Sequence, residues 1–211
     1  GGESHRVGTP RPPPVRRGIR NVDWGCVGRG TQIAKRVGEG AIEERRAGDG
    51  VVSRDHGLTP VRWVGRLFAQ NAPVKVPAGA MGRRVPARDC WLSPDARLWM
   101  KGAEFEEAFT ACEVLVPVKD LVGWRGISED TAGSSEFYLF VCDTPCVATV
   151  DGMHVEMRHP GRNVDLFEQL DADEMAELFP ELLAMKQKTD KWRRRLDKIE
   201  AAQVVDVKKR A

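Results

Sequence analysis

Several features are missing from this sequence of 211 residues, and each absence narrows what the protein can be. No apolar run approaches the ~20 residues that a transmembrane helix requires, and the N-terminus has no apolar core of the kind that a secretory signal carries. Net charge is also nearly absent, at +2, so bulk electrostatics favour neither nucleic acid nor an acidic partner. We therefore expect a chain without a membrane span.

Cysteine is scarce, and the residues that exist do not pair. Their odd number and scattered positions argue against a disulfide framework and favour a reducing intracellular compartment. The five are Cys26, Cys90, Cys112, Cys142 and Cys146. The last two have a Cys-x3-Cys spacing, but no second matching pair exists. We therefore predict no metal site, and nothing in the sequence indicates a cofactor.

Residues 1–25 lack any apolar periodicity. Five arginines stand among the first twenty residues against the single acid Glu3, and the proline-rich stretch 10–14 cannot form a helix or a central strand. We expect an extended arm that contacts a protein partner. Its basic composition is also a weak sign of an organelle-targeting remnant, in which case the compartment is an organelle and not the cytoplasm.

A β pattern occupies residues 26–162. Val61, Trp63 and Leu67 alternate with polar positions, and residues 153–157 alternate in the same way. Residues 137–142 and 147–150 read as a hairpin around Asp143-Thr144-Pro145. Because turn residues recur at short intervals, we predict a mainly β domain of many short strands.

A helical extension is predicted for residues 163–211. Apolar residues recur at helical spacing over about 171–184 and again over about 186–203. The second stretch carries Trp192, Leu196 and Ile199 as a stripe among basic residues. Such a helix suits an acidic protein or a nucleic acid, but a solvated helix that docks one thin stripe is the favoured reading. Together with the arm, we expect this extension to contact protein partners.

The junction between Gly25 and Cys26 has a chemical interpretation. A thiol at the start of a domain lies where its thiolate can attack the carbonyl of the preceding residue. A small preceding residue leaves that carbonyl open. The alternative is that Cys26 is a small buried hydrophobe in a first strand, as most reduced cysteines are.

The order of several segments resembles the Hint (Hedgehog/intein) domain family, in particular its bacterial type. The matching segments are 26–33, 41–57, 60–66, 86–94, 114–122 and 159–161. The resemblance implies a curled β-fold that cleaves or splices its own chain. In such a domain Cys26 makes an N-to-S acyl shift at Gly25, assisted by the serine of a Ser/Thr-x-x-His block, here Ser93.

The sequence departs from that family at both positions where a histidine is expected. Ala96 ends the Ser93 block, and Pro145 stands in the later Asp-Arg-His block, which retains Asp143. Asp95 is a substitute proton donor only if burial raises its pKa; otherwise it is a turn residue. We therefore favour a degenerate Hint domain that serves as a scaffold over an active one. An engineered alanine at 96 is a third explanation, which Pro145 disfavours.

Overall fold

The computed structural model describes residues 25–68, 71–142, 146–157 and 194–211. Asp143, the arm before Gly25, the block 159–161 and the predicted helix at about 171–184 lie outside these residues. The described strands are β1 (Val27–Gly28), β2 (Gln32–Ala34), β3 (Glu39–Ala41), β4 (Gly50–Ser53), β5 (Gly57–Phe68), β6 (Val74–Val76), β7 (Cys90–Leu92), β8 (Arg97–Lys101), β9 (Glu113–Pro117), β10 (Ser128–Glu129), β11 (Glu136–Cys142), β12 (Cys146–Val150) and β13 (Met153–Met157). The described helices are α1 (Ala103–Phe109), α2 (Lys198–Ala201) and α3 (Val204–Arg210), with 3₁₀ turns at Ile42–Glu44 and Val118–Leu121.

The strands form one curled antiparallel sheet, as the sequence predicts for its β domain. Their order is β10-β6-β7-β1-β11-β5-β4-β12-β13-β8-β9, with β2 and β3 attached beside β12. The long strand β5 joins the two halves, since Gly57–Pro60 pair with β4 whereas Val61–Phe68 pair with β11. Alternation over β5 buries Val61 and Trp63, because side chains two apart share one face of a strand.

The predicted hairpin around residues 143–145 is wrong. Strands β11 and β12 both exist, but β11 pairs with β5 and β1 whereas β12 pairs with β13, β4 and β2. Strand β12 instead forms a hairpin with β13, and the chain turns at Asp151 and Gly152. Both residues have positive φ, 47° and 84°, as a two-residue hairpin turn demands. Burial raises the pKa of the Asp151 carboxyl, an effect that Arg88, 3.4 Å away, partly offsets.

Of the helix predicted over 186–203, the structure describes only residues 194–203, and these begin as an extended chain. Arg195 forms a parallel bridge to Leu115, so residues 194–196 extend the sheet beside β9. Helix α2 starts only at Lys198, because Asp197 and Glu200 form a capping box. Leu196 is buried as predicted, but Ile199, the next member of the predicted stripe, is 73% exposed.

Helix α3 packs the segment onto the β domain. Val204 and Val207 are buried, and Lys208 donates a 2.6 Å hydrogen bond to Glu104 of α1. The described C-terminal residues thus share the hydrophobic core of the domain. Among the described residues, no helix is both long and apolar enough to cross a bilayer. The domain boundaries expected from the sequence stay a prediction.

Candidate functional site

The Gly25–Cys26 junction lies where the two halves of the sheet meet. Cys26 directly precedes β1 and is buried, with 1% of its surface exposed. On one side, β1 pairs with β7 through Val27 and Leu92. On the other side, an ideal Cβ on Gly25 would lie 2.8 Å from the carbonyl oxygen of Glu156 in β13.

That contact explains the residue before the thiol. Real Cβ atoms do not approach a backbone oxygen within 3.0 Å, so any side chain at position 25 would force the junction or β13 to move. Glycine alone fits without a shift. The sequence expectation of a small residue at this position therefore has a steric cause in the packing of the site.

Ser93 holds the main chain of Cys26 at two points. The Cys26 N–H donates a 3.0 Å hydrogen bond to the Ser93 hydroxyl oxygen, and the Ser93 N–H donates a 2.9 Å bond to the Cys26 carbonyl. Ser93 is itself buried. The hydroxyl thus lies against the nitrogen that would leave during an acyl shift. This is the neighbourhood in which the sequence placed Ser93.

Ala96 also lies next to the junction. Its Cα is 3.8 Å from the ideal Cβ position of Gly25, and its side chain is fully buried. The turn that carries it is fixed by the Ala96 N–H bond to the Ser93 carbonyl, 3.0 Å, and by the Val118 N–H bond to the Ala96 carbonyl, 2.8 Å. The position at which the resemblance expects a histidine is therefore beside Gly25 and holds a methyl group.

Asp95 is engaged by a cation. Its Oδ1 accepts a 2.6 Å hydrogen bond from the Lys119 ammonium, and one fifth of its side chain is exposed. The role of Asp95 as a substitute acid stays a prediction, and this ion pair counts against it. Asp143, the other predicted carboxylate, is not among the described residues.

The described histidines belong to other surroundings. His56 lies in the exposed turn between β4 and β5. His154 packs edge-on against Trp99, with ring centroids 5.3 Å apart. His159 is not among the described residues.

Glu156 and Arg195 form an ion pair behind the junction that the sequence reading missed. Alternation in β13 assigned Glu156 to an exposed polar face, but its side chain is only 3% exposed. The Arg195 Nε lies 3.0 Å from Oε1 and 3.2 Å from Oε2 of Glu156, and Nη2 lies 2.5 Å from Oε1. The C-terminal segment thereby anchors the strand whose carbonyl abuts Gly25.

The Cys-x3-Cys pair forms a buried dithiol. The two sulfur atoms are 3.9 Å apart, and no cysteine of the chain forms a disulfide. The hydrogen bond to Cys142 and burial raise the pKa of Cys146, so the Cys146 thiol keeps its proton near neutral pH. In the described part of the chain, no cluster of three or more histidine, cysteine or carboxylate residues is arranged to hold a metal ion.

Comparison with known proteins gives a family. A sequence model described as "Hint domain" matches residues 25–162, a span that begins at the junction glycine. Among solved structures, the chain is similar to the MchDnaB-1 intein, at 12% identity and TM-score 0.40, over 63% of this chain and 99% of that one. It is also similar to a splice-inactive AceL NrdHF class 3 split intein, at 14% identity and TM-score 0.39, over 63% and 97%. No curated protein sequence matches the chain significantly.

Proposed function

The chain belongs to the Hint domain family, and from that membership we propose that it is a Hint domain that has lost efficient autoprocessing and serves as a structural or interaction subunit of a larger assembly. The observation that carries the proposal is the buried methyl group of Ala96 beside Gly25. An acyl shift needs a proton for the departing nitrogen, and an alanine supplies none.

The chemistry makes this loss severe. The Cys26 thiolate would attack the Gly25 carbonyl carbon, forming an S–C bond, and the C–N bond would then break with its electron pair moving to nitrogen. The nitrogen must take up a proton in the same step, because an unprotonated amide anion is a very poor leaving group. Loss of a positioned general acid costs ~10²–10⁴ in rate. The Ser93 hydroxyl oxygen accepts the N–H bond of Cys26 and so holds the amide without protonating it.

Partner contacts are proposed for the arm at residues 1–25 and for the C-terminal region at 163–211. Within the latter, residues 194–211 rest on β9 and α1, so a partner would meet their outer surface. Ile199 projects from that surface with 73% of its area exposed. An exposed isoleucine flanked by Lys198 and Glu200 suits the rim of a protein interface. A protein partner is therefore favoured over nucleic acid.

A second candidate is slow self-cleavage at Gly25–Cys26. It is favoured by the 3.0 Å bond that the Cys26 N–H donates to the Ser93 hydroxyl oxygen and by the 2.9 Å bond that the Ser93 N–H donates to the Cys26 carbonyl. These contacts hold the scissile amide in one geometry. In this reading Ser93 positions the amide, and the proton comes from Asp95, Asp143 or water.

Incubation of the purified chain with hydroxylamine separates the two candidates. Hydroxylamine traps a thioester, so an active domain releases a fragment that ends at Gly25, and Cys26→Ala abolishes that release. A degenerate domain keeps its intact mass in both variants over days. Rapid release from the native chain, absent in Cys26→Ala, would overturn the proposal that processing is lost.

The interaction role has its own test. Cross-linking of the full chain in its native extract, followed by mass spectrometry, should place partner contacts in 1–25 or 163–211. Ile199→Asp should weaken them, while Val37→Asp, which alters an equally exposed residue in the β2–β3 turn, should not. Contacts confined to the β domain would contradict the assignment.

A further inference from the structure

A cleft opens where β8 and β13 separate. The two strands share a single residue pair in register, Leu98 with Val155, whereas β8 pairs with β9 along five residues. Met100 and Met153, two residues along each strand from that pair, line a cleft of about 250 Å³. None of Gly25, Cys26, Ser93 and Ala96 of the acyl-shift site lines this cleft.

The walls of the cleft are aromatic and thioether. Trp99 and Trp124 line it together with Met81, Met100 and Met153. Indole rings offer large flat contact surfaces, and methionine side chains adapt to an irregular ligand shape. Such a lining suits a planar apolar group of modest size.

All the charge on the lining has one sign. Lys101, Arg125 and Lys208 line the cleft, and no aspartate or glutamate does so. The Arg125 guanidinium carbon lies 4.6 Å from the Trp124 ring centroid, and the Lys208 ammonium lies 5.9 Å from the same centroid. Lys208 is also paired with Glu104 of α1. An anion at the mouth therefore meets basic groups beside a flat hydrophobic wall.

We propose that this cleft binds a small aromatic acid, meaning a ligand with a planar apolar body and one anionic group. The ring system would pack against Trp99, Trp124 and the methionines, and the anion would pair with Arg125 and Lys101. Polar groups placed at the edge of an apolar pocket orient ligands in this way. Because the cleft is separate from the junction, its ligand is independent of whether the domain processes itself.

Two fluorescent probes that differ in charge test the proposal. One is 8-anilinonaphthalene-1-sulfonate, and the other is the uncharged N-phenyl-1-naphthylamine, which has the same rings without the sulfonate. We expect saturable binding of one sulfonate probe per chain and at least tenfold weaker binding of the uncharged probe. The double variant Lys101→Gln/Arg125→Gln should weaken sulfonate binding roughly three- to tenfold, the range for one or two exposed ion pairs.

Matched controls make the result decisive. Arg36→Gln removes an exposed cation in the turn between β2 and β3 and should leave both probes unaffected. Circular dichroism at the assay temperature should be the same for all variants, since a loosened core also binds the sulfonate probe. Equal affinity for the two probes, equal effects of the double variant and Arg36→Gln, or absence of saturable binding would each overturn the proposal.

Discussion

Replacing Ala96 with histidine tests the proposed cause of lost processing at a single side chain. The Ala96 Cα lies 3.8 Å from the ideal Cβ position of Gly25. An imidazole attached there is long enough to reach the amide between Gly25 and Cys26. If the domain does not cleave itself because it lacks a proton donor, this one substitution should restore cleavage.

The expected gain follows from the chemistry of general acids. A positioned acid contributes ~10²–10⁴ in rate, which corresponds to about 3–5 kcal/mol of activation free energy. Position 96 is fully buried, so the added volume should cost about 1–3 kcal/mol of stability. A domain of ordinary stability, roughly 5–15 kcal/mol, withstands that cost. We therefore expect a folded variant with a lowered melting temperature and measurable cleavage.

The assay is release of the fragment ending at Gly25 in hydroxylamine, followed by intact mass across pH 5.5–9. An imidazolium donor loses its proton as pH rises above ~6.5, while the thiolate becomes more populated toward ~8.5. The Ala96→His rate should consequently pass through a maximum between these values. Ala96→Gln, similar in bulk but without a titrating group, should remain silent. The combined variant with Cys26→Ala should also remain silent.

Three results would refute the reasoning. Cleavage by Ala96→Gln at the rate of Ala96→His would mean that bulk, and not a proton, was missing. A folded Ala96→His variant that stays intact would mean that the missing acid is not the reason for inactivity. Rapid cleavage by the native chain would mean that a proton donor is already present.

Four further predictions follow from the packing. Gly25→Ala should lower the free energy of unfolding by roughly 1–3 kcal/mol in urea titrations, because its Cβ meets the Glu156 carbonyl at 2.8 Å; an unchanged midpoint would contradict this. Arg195→Met should cost about 2–4 kcal/mol since it leaves a buried carboxylate without its cation, and adding Glu156→Gln should recover most of the loss. Burial raises the folded pKa of Asp151 above its ordinary value of about 3.8. The free energy of unfolding should therefore fall as pH rises from that value through the raised pKa. Asp151→Asn should remove this fall and raise the melting temperature at neutral pH. Cys112, the exposed cysteine among four buried ones, should be the only thiol that a disulfide reagent labels rapidly in the native protein; fast labelling of two or more would refute this.

The strands could be predicted from the sequence because alternation is a local signal. Val61 with Trp63, and Met153 with Val155, alternate with polar residues, and the structure buries these four residues. Partner strands could not be predicted in the same way. The stretch from 137 to 150 contains Pro145 and resembles two strands around a turn, yet its halves join different parts of the sheet, and only tertiary packing decides that.

The C-terminal segment shows a local signal that was overlooked. Asp197 and Glu200 have the spacing of a capping box, and that pattern marks the start of a helix at Lys198. The apolar spacing of Leu196 and Ile199 predicted instead a helix that includes both residues. Leu196 is buried because its segment pairs with β9 and not because it lies on a helical stripe.

The residues of the candidate site also differ in whether the sequence could predict them. Gly25 and Cys26 were predicted from the chemistry of the junction, and Ser93 from the resemblance to the Hint family; the structure places hydrogen bonds between the last two. Glu156 and Arg195 were not predicted. A charged residue at an alternating position looks exposed in a sequence, and its burial depends on a cation that arrives from a distant segment.

The groups around the junction differ in whether the fold itself requires them. Position 25 must be glycine for steric reasons, and the Ser93 main chain continues the pairing of β7 with β1. The glycine at position 25 is therefore no argument for catalysis, because a scaffold would keep it too. The Cys26 sulfur is different. The two hydrogen bonds to Ser93 use the N–H and the carbonyl of Cys26, so both would remain if alanine replaced the cysteine. If Cys26→Ala leaves the free energy of unfolding within about 1 kcal/mol of the native value, less than a buried side chain usually costs, packing does not explain the thiol. A larger loss would make Cys26 a core residue, as a degenerate domain predicts.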